Sequence, residues 1–344
     1  MQLVLVLAAV VGLLIGIDTL VLHLRLDPLA DVHAYYDAGA RLNAGLPLYD
    51  QPAGTDDAAF YRYPPLLAVV FRPLALLPFQ TAALIWEALL LVLFAATVYR
   101  SGIRNRWTWL VLGWLAAPIA WSLAIGQAQV AVTFFLILGT PWGIALAANL
   151  KLLPLLVAVY WIARRDRRAI GELLAWLVGL AVLSLVVEPA GTIAFLGFPD
   201  LTQVGNVENL SLYALSPVLW AGFVALLAGL AFRFAPTRAG WALAVILSVL
   251  ASPRLLMYQL STLQSAVRSP DGDRPNAWLT HDRQPLTSEH RPDDDGNTKP
   301  PTLGRMGGRQ HGGEEREFES DAEHRGQQEE RGLDMHVGRD QQDQ

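Results

Sequence analysis

The chain has 344 residues, of which 53% are hydrophobic, and a mean hydropathy of +0.33. Its net charge of −5 arises in its last part, because residues 1–268 contain 16 Lys/Arg and 13 Asp/Glu, whereas residues 269–344 contain 10 and 18. The lack of cysteine excludes disulfides, thiolate nucleophiles and Cys-based metal sites. The basic residues lie in short clusters between apolar runs, which argues against nucleic-acid binding.

Apolar segments of membrane-spanning length dominate residues 1–268, which we predict to form one transmembrane domain. The first segment, about 3–22, is interpreted as a retained helix and not as a cleaved signal, because it lacks a basic start and many spans follow. The other predicted spans are, in chain order, about 80–99, 107–121, 169–187, 215–232 and 239–257. We also predict a short surface or re-entrant piece at about 66–78, and two or three short helices over 130–162. The sequence therefore predicts an all-α polytopic membrane protein of about eight to ten transmembrane helices.

Charge predicts the orientation of these helices. The basic clusters at 100–106, 164–168 and 233–238 are expected in the cytoplasm under the positive-inside rule. The N-terminus is then cytoplasmic, and the outer loops are 24–65, 122–128 and 188–214, which carry most of the unusual polar residues.

The composition changes near residue 269, and we predict that residues 269–344 form a disordered, acidic tail, because they have too few apolar residues to build a core. Ser252-Pro253-Arg254 and the apolar residues after it resemble the start of another membrane segment, which then gives way to polar sequence. Two interpretations remain open, a change of reading frame near 263–270, which we favour, and a genuine acidic tail.

The first outer loop, Asp31 to Pro65, holds the strongest candidate residues. Asp31 follows the first helix, where a carboxylate at the membrane surface is placed to act as a general base towards a hydroxyl on a lipid-borne substrate; the alternative is a helix-capping Asp. His33, Tyr35 and Tyr36 lie next to it and are expected to contact substrate.

Two cations are further candidates. Arg62, beside Tyr63 where the chain returns to the membrane, is suited to bind a phosphate. Lys151 lies in an apolar run, where a charge costs roughly 2.5–3.5 kcal/mol and marks a functional site, and Pro154 breaks the helix beside it. For both residues the alternative is a side chain that only reaches the lipid headgroups.

The other outer loops contribute Gln127 and Asn209, whose amide groups are suited to sugar hydroxyls, and Arg254 adds a cation near an outer helix end, suited to bind phosphate. The sequence contains no phosphate-binding loop, no HExxH and no GxSxG motif. We assign no metal to the acidic run 293–295, and we expect no cofactor, with metal dependence left open. An activated substrate is then expected to arrive as a lipid.

These motifs, taken in order, resemble glycosyltransferase family 87. The resemblance rests on Asp31-x-His-x-Tyr35-Tyr36, then Tyr61-Arg-Tyr63-Pro-Pro, Gly126-Gln127, Lys151-x-x-Pro154 and Ser252-Pro253, and covers about residues 5–262. The family's members are membrane enzymes of the GT-C type that use polyprenyl-phosphate-linked mannose. The sequence differs from the family's pattern in two places: segment 140–154 is shorter than expected, and the helices after Ser252-Pro253 are missing.

The resemblance implies an inverting transfer of a hexose, with mannose favoured, to a lipid or glycan acceptor in the cell envelope outside the cytoplasmic membrane. Asp31 takes the position of the family's general base, and Lys151, Arg62 and Arg254 are candidates to stabilise the departing phosphate. The competing interpretations are a membrane transporter or lipid flippase, and a non-catalytic, truncated member of the family.

Overall fold

The computed structural model describes residues 2–49, 60–197 and 209–268, and within these ranges all regular secondary structure is helical. The α-helices are α1 (Gln2–Leu26), α2 (Ala30–Asn43), α3 (Pro65–Leu74), α4 (Phe79–Gly102), α5 (Arg106–Trp114), α6 (Ala116–Ala124), α7 (Gln129–Ile137), α8 (Pro141–Leu150), α9 (Val159–Ala163), α10 (Arg167–Val187), α11 (Pro189–Leu196), α12 (Pro217–Phe234) and α13 (Arg238–Leu250). The described part also contains three 3₁₀ helices, Leu153–Ala158, Leu212–Ala214 and Met257–Val267. The predicted tail, 269–344, lies outside the described residues.

Four helices in the described part, α1, α4, α10 and α12, are long and apolar enough to cross a membrane, and the bent pair α5–α6 makes five if it counts as one span. The prediction of an all-α membrane protein is therefore confirmed. Among the described residues, four or five helices reach spanning length where eight to ten were predicted, because the remaining apolar sequence there forms shorter helices. The short piece expected at 66–78 is α3, and the region 130–162 is divided into short helices as predicted.

Two predicted spans need correction. The span at 107–121 is two helices, α5 and α6, which meet at 65°, because Pro118 has no N–H to donate to the carbonyl of Trp114 and its ring crowds that group. The span at 239–257 ends at Leu250, because a residue before proline disfavours the helical conformation and Ser252 precedes Pro253. Beyond it the chain forms the buried 3₁₀ helix Met257–Val267, which packs against α6, α7 and α13.

The bundle has two distinct ends along α4. His33 stacks on Phe79 at the start of α4, with ring centroids 3.7 Å apart, whereas Arg100 lies in its last turn. A helix of this length spans about 36 Å, so the first basic cluster is at the opposite end from the loop that carries Asp31. That the Asp31 end faces the outside of the cell stays a prediction.

Two clusters of buried side chains form the core. The first cluster, which we call the front core, joins α2, α3, α4 and the turn at 126–130, and includes Tyr35, Tyr63 and Trp86. The second, the rear core, joins α7, α8, α9, α10, α12 and α13. Leu150, the last residue of α8, packs against both cores.

Close helix contacts in the N-terminal part depend on small residues. A Cβ added at Gly12 of α1 would overlap the carbonyl oxygen of Gly113 in α5, and one at Gly16 would lie 2.6 Å from the Cβ of Ala116 in α6. Glycine therefore allows α1 to lie directly on the bend between α5 and α6.

We predict that Gly12→Ala destabilises the protein by about 1–3 kcal/mol, because the new methyl group has no space. Gly179→Ala is the matched control, since nothing lies within 4 Å of a Cβ at that position in α10. The check is the melting temperature of each purified variant in detergent, and an equal melting temperature for the two variants would contradict the prediction.

Candidate active site

Backbone hydrogen bonds hold Asp31, in the first turn of α2, against the end of α6. The N–H groups of Leu29 and Asp31 donate to the carbonyls of Ala124 and Ile125, each at 3.1 Å. The next residue, Gly126, has a φ of +69°, and a Cβ there would overlap Val32. Only glycine fits this turn, so α2 begins directly against the segment that leads into Gln127.

Gln127 joins two tyrosines into a buried polar cluster. The hydroxyls of Tyr35 and Tyr63 donate to Gln127 Oε1 over 2.9 and 2.6 Å, and they lie 3.1 Å from each other. The Ala128 N–H donates to the Tyr35 hydroxyl over 3.2 Å. The Gln127 side chain also lies close enough to Asp31 to lower the pKa of its carboxyl, although its Nε2 has no hydrogen-bond partner within the described part of the chain.

The helix break at Lys151 places its ammonium group in the same region. Helix α8 ends at Leu150, because a helical turn continuing through Pro154 would clash with the Leu150 carbonyl. Lys151 then takes an extended conformation. Its Nζ lies 5.6 Å from the ring centroid of Tyr63 and 4.7 Å from that of Tyr258, which are cation–π distances.

The electrostatics of Asp31 combine burial with opposing charges. Asp31 keeps some exposed surface, but protein surrounds it on most sides, and this desolvation raises the pKa of its carboxyl to about 7. Lys151, Gln127 and Arg62 act in the opposite direction and lower the pKa, whereas Asp27 raises it further. Asp31 is thus poised to gain and lose a proton near neutral pH.

The structure does not bring every candidate of the first loop to this place. His33 and Tyr36 lie on other faces of α2 than Asp31 and Tyr35, since positions i and i+4 share a face and i+2 is opposite. His33 stacks on Phe79, and the Tyr36 hydroxyl donates to the carbonyl of Leu77 over 2.8 Å. Their proposed contact with substrate stays a prediction that this geometry does not support.

Asn209 supports backbone in the third loop. Its Oδ1 accepts from the N–H groups of Leu255 and Ser211, over 3.0 and 2.9 Å, and its Nδ2 donates to the Pro253 carbonyl over 3.0 Å. Asn209 therefore holds the segment that carries Arg254. Arg254 and Arg62 are both close enough to act electrostatically on Tyr258.

Sequence reasoning missed four residues near this cluster. Tyr258 was part of an apolar run and had no distinguishing signal. Glu87 was detectable as an acid in an otherwise apolar span, and its Oε1 is buried with no hydrogen-bond partner in the described part of the chain. His23 and Asp27 form a pair, with Nδ1 and Oδ1 2.8 Å apart, and the His23 ring stacks on Trp121; their i, i+4 spacing was a readable signal.

The structure offers no metal centre in the described residues, since no three side chains of His, Cys, Asp or Glu group around one point there. The expectation of a site without cofactor stays a prediction.

Comparison with known proteins identifies the family. The sequence profile described as glycosyltransferase family 87 matches residues 60–265, more than half of the chain. The chain belongs to glycosyltransferase family 87. No solved structure matches it.

Three similar proteins are mycobacterial enzymes. A polyprenol-phosphate-mannose-dependent alpha-(1-2)-phosphatidylinositol pentamannoside mannosyltransferase of Mycolicibacterium smegmatis is 28% identical over 41% of this chain and 39% of its own length. The alpha-(1-2)-phosphatidylinositol mannoside mannosyltransferases of the same species and of Mycobacterium tuberculosis are 29% and 28% identical, over 44% and 54% of this chain. The chain spans only 43% and 58% of the length of these two relatives.

The residues matched by the family 87 profile include most of the candidate site but not all of it. Tyr63, Gln127, Lys151 and Tyr258 lie within the matched residues, whereas Asp31 precedes them. What joins Asp31 to the family's segment is its contacts with the turn at Ile125 and its electrostatic interaction with Lys151. Chemically, the arrangement combines a carboxylate that can accept a proton near neutral pH with cations that can hold a phosphate.

We predict that Lys151→Met raises the pKa of Asp31 above about 7, because the substitution removes the cation that stabilises its ionised form. Lys151→Arg keeps the charge and is expected to leave the pKa near that of the unmodified protein. The measurement is an infrared pH titration of the protonated carboxyl band, assigned by its loss in Asp31→Asn. A Lys151→Met titration that coincides with the unmodified protein would contradict the assigned interaction.

Proposed function

We propose that this chain transfers mannose from a polyprenyl-phosphate donor to a hydroxyl of a lipid or glycan acceptor at the outer face of the cell membrane. The observation that carries the proposal is the convergence of Asp31 and Lys151, from distant parts of a family 87 chain, on the tyrosine–glutamine cluster. The relatives' dependence on polyprenol-phosphate-mannose supports the donor, and their phosphatidylinositol mannoside acceptors support a glycolipid acceptor.

In the proposed reaction, Asp31 accepts the proton of the acceptor hydroxyl. The hydroxyl oxygen forms a bond to the anomeric carbon of the mannose while the bond from that carbon to the phosphate oxygen breaks. Polyprenyl phosphate leaves with the bonding electron pair. Because the pKa of Asp31 is about 7, a substantial fraction is ionised at neutral pH, and its proton affinity is higher than that of an exposed aspartate.

The departing phosphate needs positive charge, and we assign this role to Lys151, Arg62 and Arg254. Lys151 has the additional property that it acts on Asp31. A donor phosphate bound beside Lys151 shares its positive charge, so the attraction between Lys151 and Asp31 weakens and the carboxylate becomes a stronger base.

The outer-face location rests on charge. The three basic clusters occur at the C-terminal end of α4, at the turn before α10, and between α12 and α13. Helix α4 places the first of them about 36 Å from the Asp31 end. A site at the other end of the bundle suits a donor presented outside the cytoplasmic membrane.

We predict that Asp31→Asn lowers mannose transfer by about 10²–10⁴-fold, because an amide cannot accept the proton. Asp37→Asn is the matched control, since Asp37 lies on the same helix but is exposed. The assay measures transfer of radiolabelled mannose from polyprenyl-phosphate-mannose in membranes that contain each variant.

Each outcome separates the alternatives. Equal transfer by Asp31→Asn and Asp37→Asn would remove the base assignment while keeping the enzyme. Absence of transfer by the unmodified chain, together with normal expression, would contradict the proposed activity and favour a transporter or a non-catalytic family member.

A further inference from the structure

Tyr258 is an aromatic wall of the candidate site and comes from the C-terminal part of the described chain. It lies in the first turn of the 3₁₀ helix Met257–Val267 and is buried, with 8% of its surface exposed. Lys151 Nζ lies 4.7 Å from the centroid of the Tyr258 ring and 5.6 Å from the centroid of the Tyr63 ring.

One contact to the Tyr258 ring and one to its backbone restrain this residue. Trp121 of α6 packs edge-on against it, with ring centroids 5.8 Å apart. The Tyr258 carbonyl accepts from the hydroxyl of Ser122 over 3.3 Å. The 3₁₀ helix itself packs against α6 and α7, so the ring has little freedom to follow a moving lysine.

A lysine side chain has several rotatable bonds and loses rotamer entropy when one position is selected. Two aromatic faces on one ammonium group select a position without neutralising its charge, because a ring attracts a cation through its quadrupole and carries no net charge. A carboxylate in the place of Tyr258 would hold Lys151 more strongly but would cancel the charge that a phosphate needs.

We propose that Tyr258 is a positioning residue whose ring, together with Tyr63, holds the Lys151 ammonium group between Asp31 and the site of the donor phosphate. The proposal rests on the proposed transferase function for the identity of the phosphate, but not for the geometry. Besides Lys151, the charged groups that act on Tyr258 are Asp31, Arg254 and Arg62. Burial raises the pKa of the Tyr258 hydroxyl, so the residue acts as a neutral aromatic at all working pH values.

The first test is independent of activity. The sequence contains two lysines, Lys151 and Lys299, so an amine-reactive reagent followed by mass spectrometry reports on Lys151 with Lys299 as internal standard. We expect Tyr258→Leu to raise the labelling rate of Lys151 about five- to tenfold, whereas Tyr258→Phe, which keeps the ring, stays within about twofold. Tyr213→Leu is the matched control, because it removes a tyrosine that contacts Trp220 and not Lys151.

The second test uses mannose transfer. Tyr258→Leu is expected to raise the KM for polyprenyl-phosphate-mannose about five- to tenfold and to move the acidic limb of the pH profile to higher pH, because Lys151 no longer lowers the pKa of Asp31. Tyr258→Phe and Tyr213→Leu should keep both values. A purely structural contribution of Tyr258 would reduce the amount of active protein without moving the pH limb.

Together, the two tests distinguish a failure of the positioning proposed for Tyr258 from a failure of the proposed transferase function. Faster Lys151 labelling in Tyr258→Leu without any mannose transfer by the unmodified chain would support the positioning by Tyr258 and contradict the proposed function. Equal labelling in Tyr258→Leu and Tyr258→Phe would overturn the positioning by the ring, whatever the activity. Tyr258→Met provides a second aliphatic variant of similar length, should Tyr258→Leu fail to fold, and it is expected to behave as the leucine variant does.

Discussion

The account depends on one electrostatic interaction, the attraction between Asp31 and Lys151 in a partly desolvated site. Burial raises the pKa of the Asp31 carboxyl and the charge of Lys151 lowers it, so that the pKa settles at about 7. The two residues are separated by 120 positions in the sequence, and neither lies in a long helix. Asp31 is held by backbone hydrogen bonds to the end of α6, and Lys151 by the helix break before Pro154.

The two cores of the bundle explain how this interaction is built. The front core carries α2 with Asp31, and the rear core carries α8, which ends just before Lys151. Leu150 packs against both cores, so the boundary between them runs beside the lysine. Because packed interiors yield little, the base and the cation keep their relative position, and a substrate that binds between them meets a site that is already formed.

Sequence reasoning predicted the features that depend on composition and on proline, and it missed those that depend on packing. The length of the apolar segments predicted α1, α4, α10 and α12, and the occurrence of a charged residue within an apolar run indicated Lys151. The bend between α5 and α6 was missed although Pro118 signals it. The 3₁₀ helix with Tyr258 had no local signal, because an apolar run does not reveal which side chains face a distant lysine. Asn209 has the composition of a sugar ligand, yet its amide is used by backbone groups that only the fold brings close.

The most direct measurement is a structure of the chain with a non-transferable analogue of polyprenyl-phosphate-mannose. The account predicts a phosphate oxygen within ion-pair distance of Lys151 Nζ, below about 4 Å, with the anomeric carbon of the sugar on the side of Asp31. A phosphate bound instead at the end of α4 that carries Arg100, or a sugar directed away from Asp31, would contradict the central claim that these two residues form the transfer site.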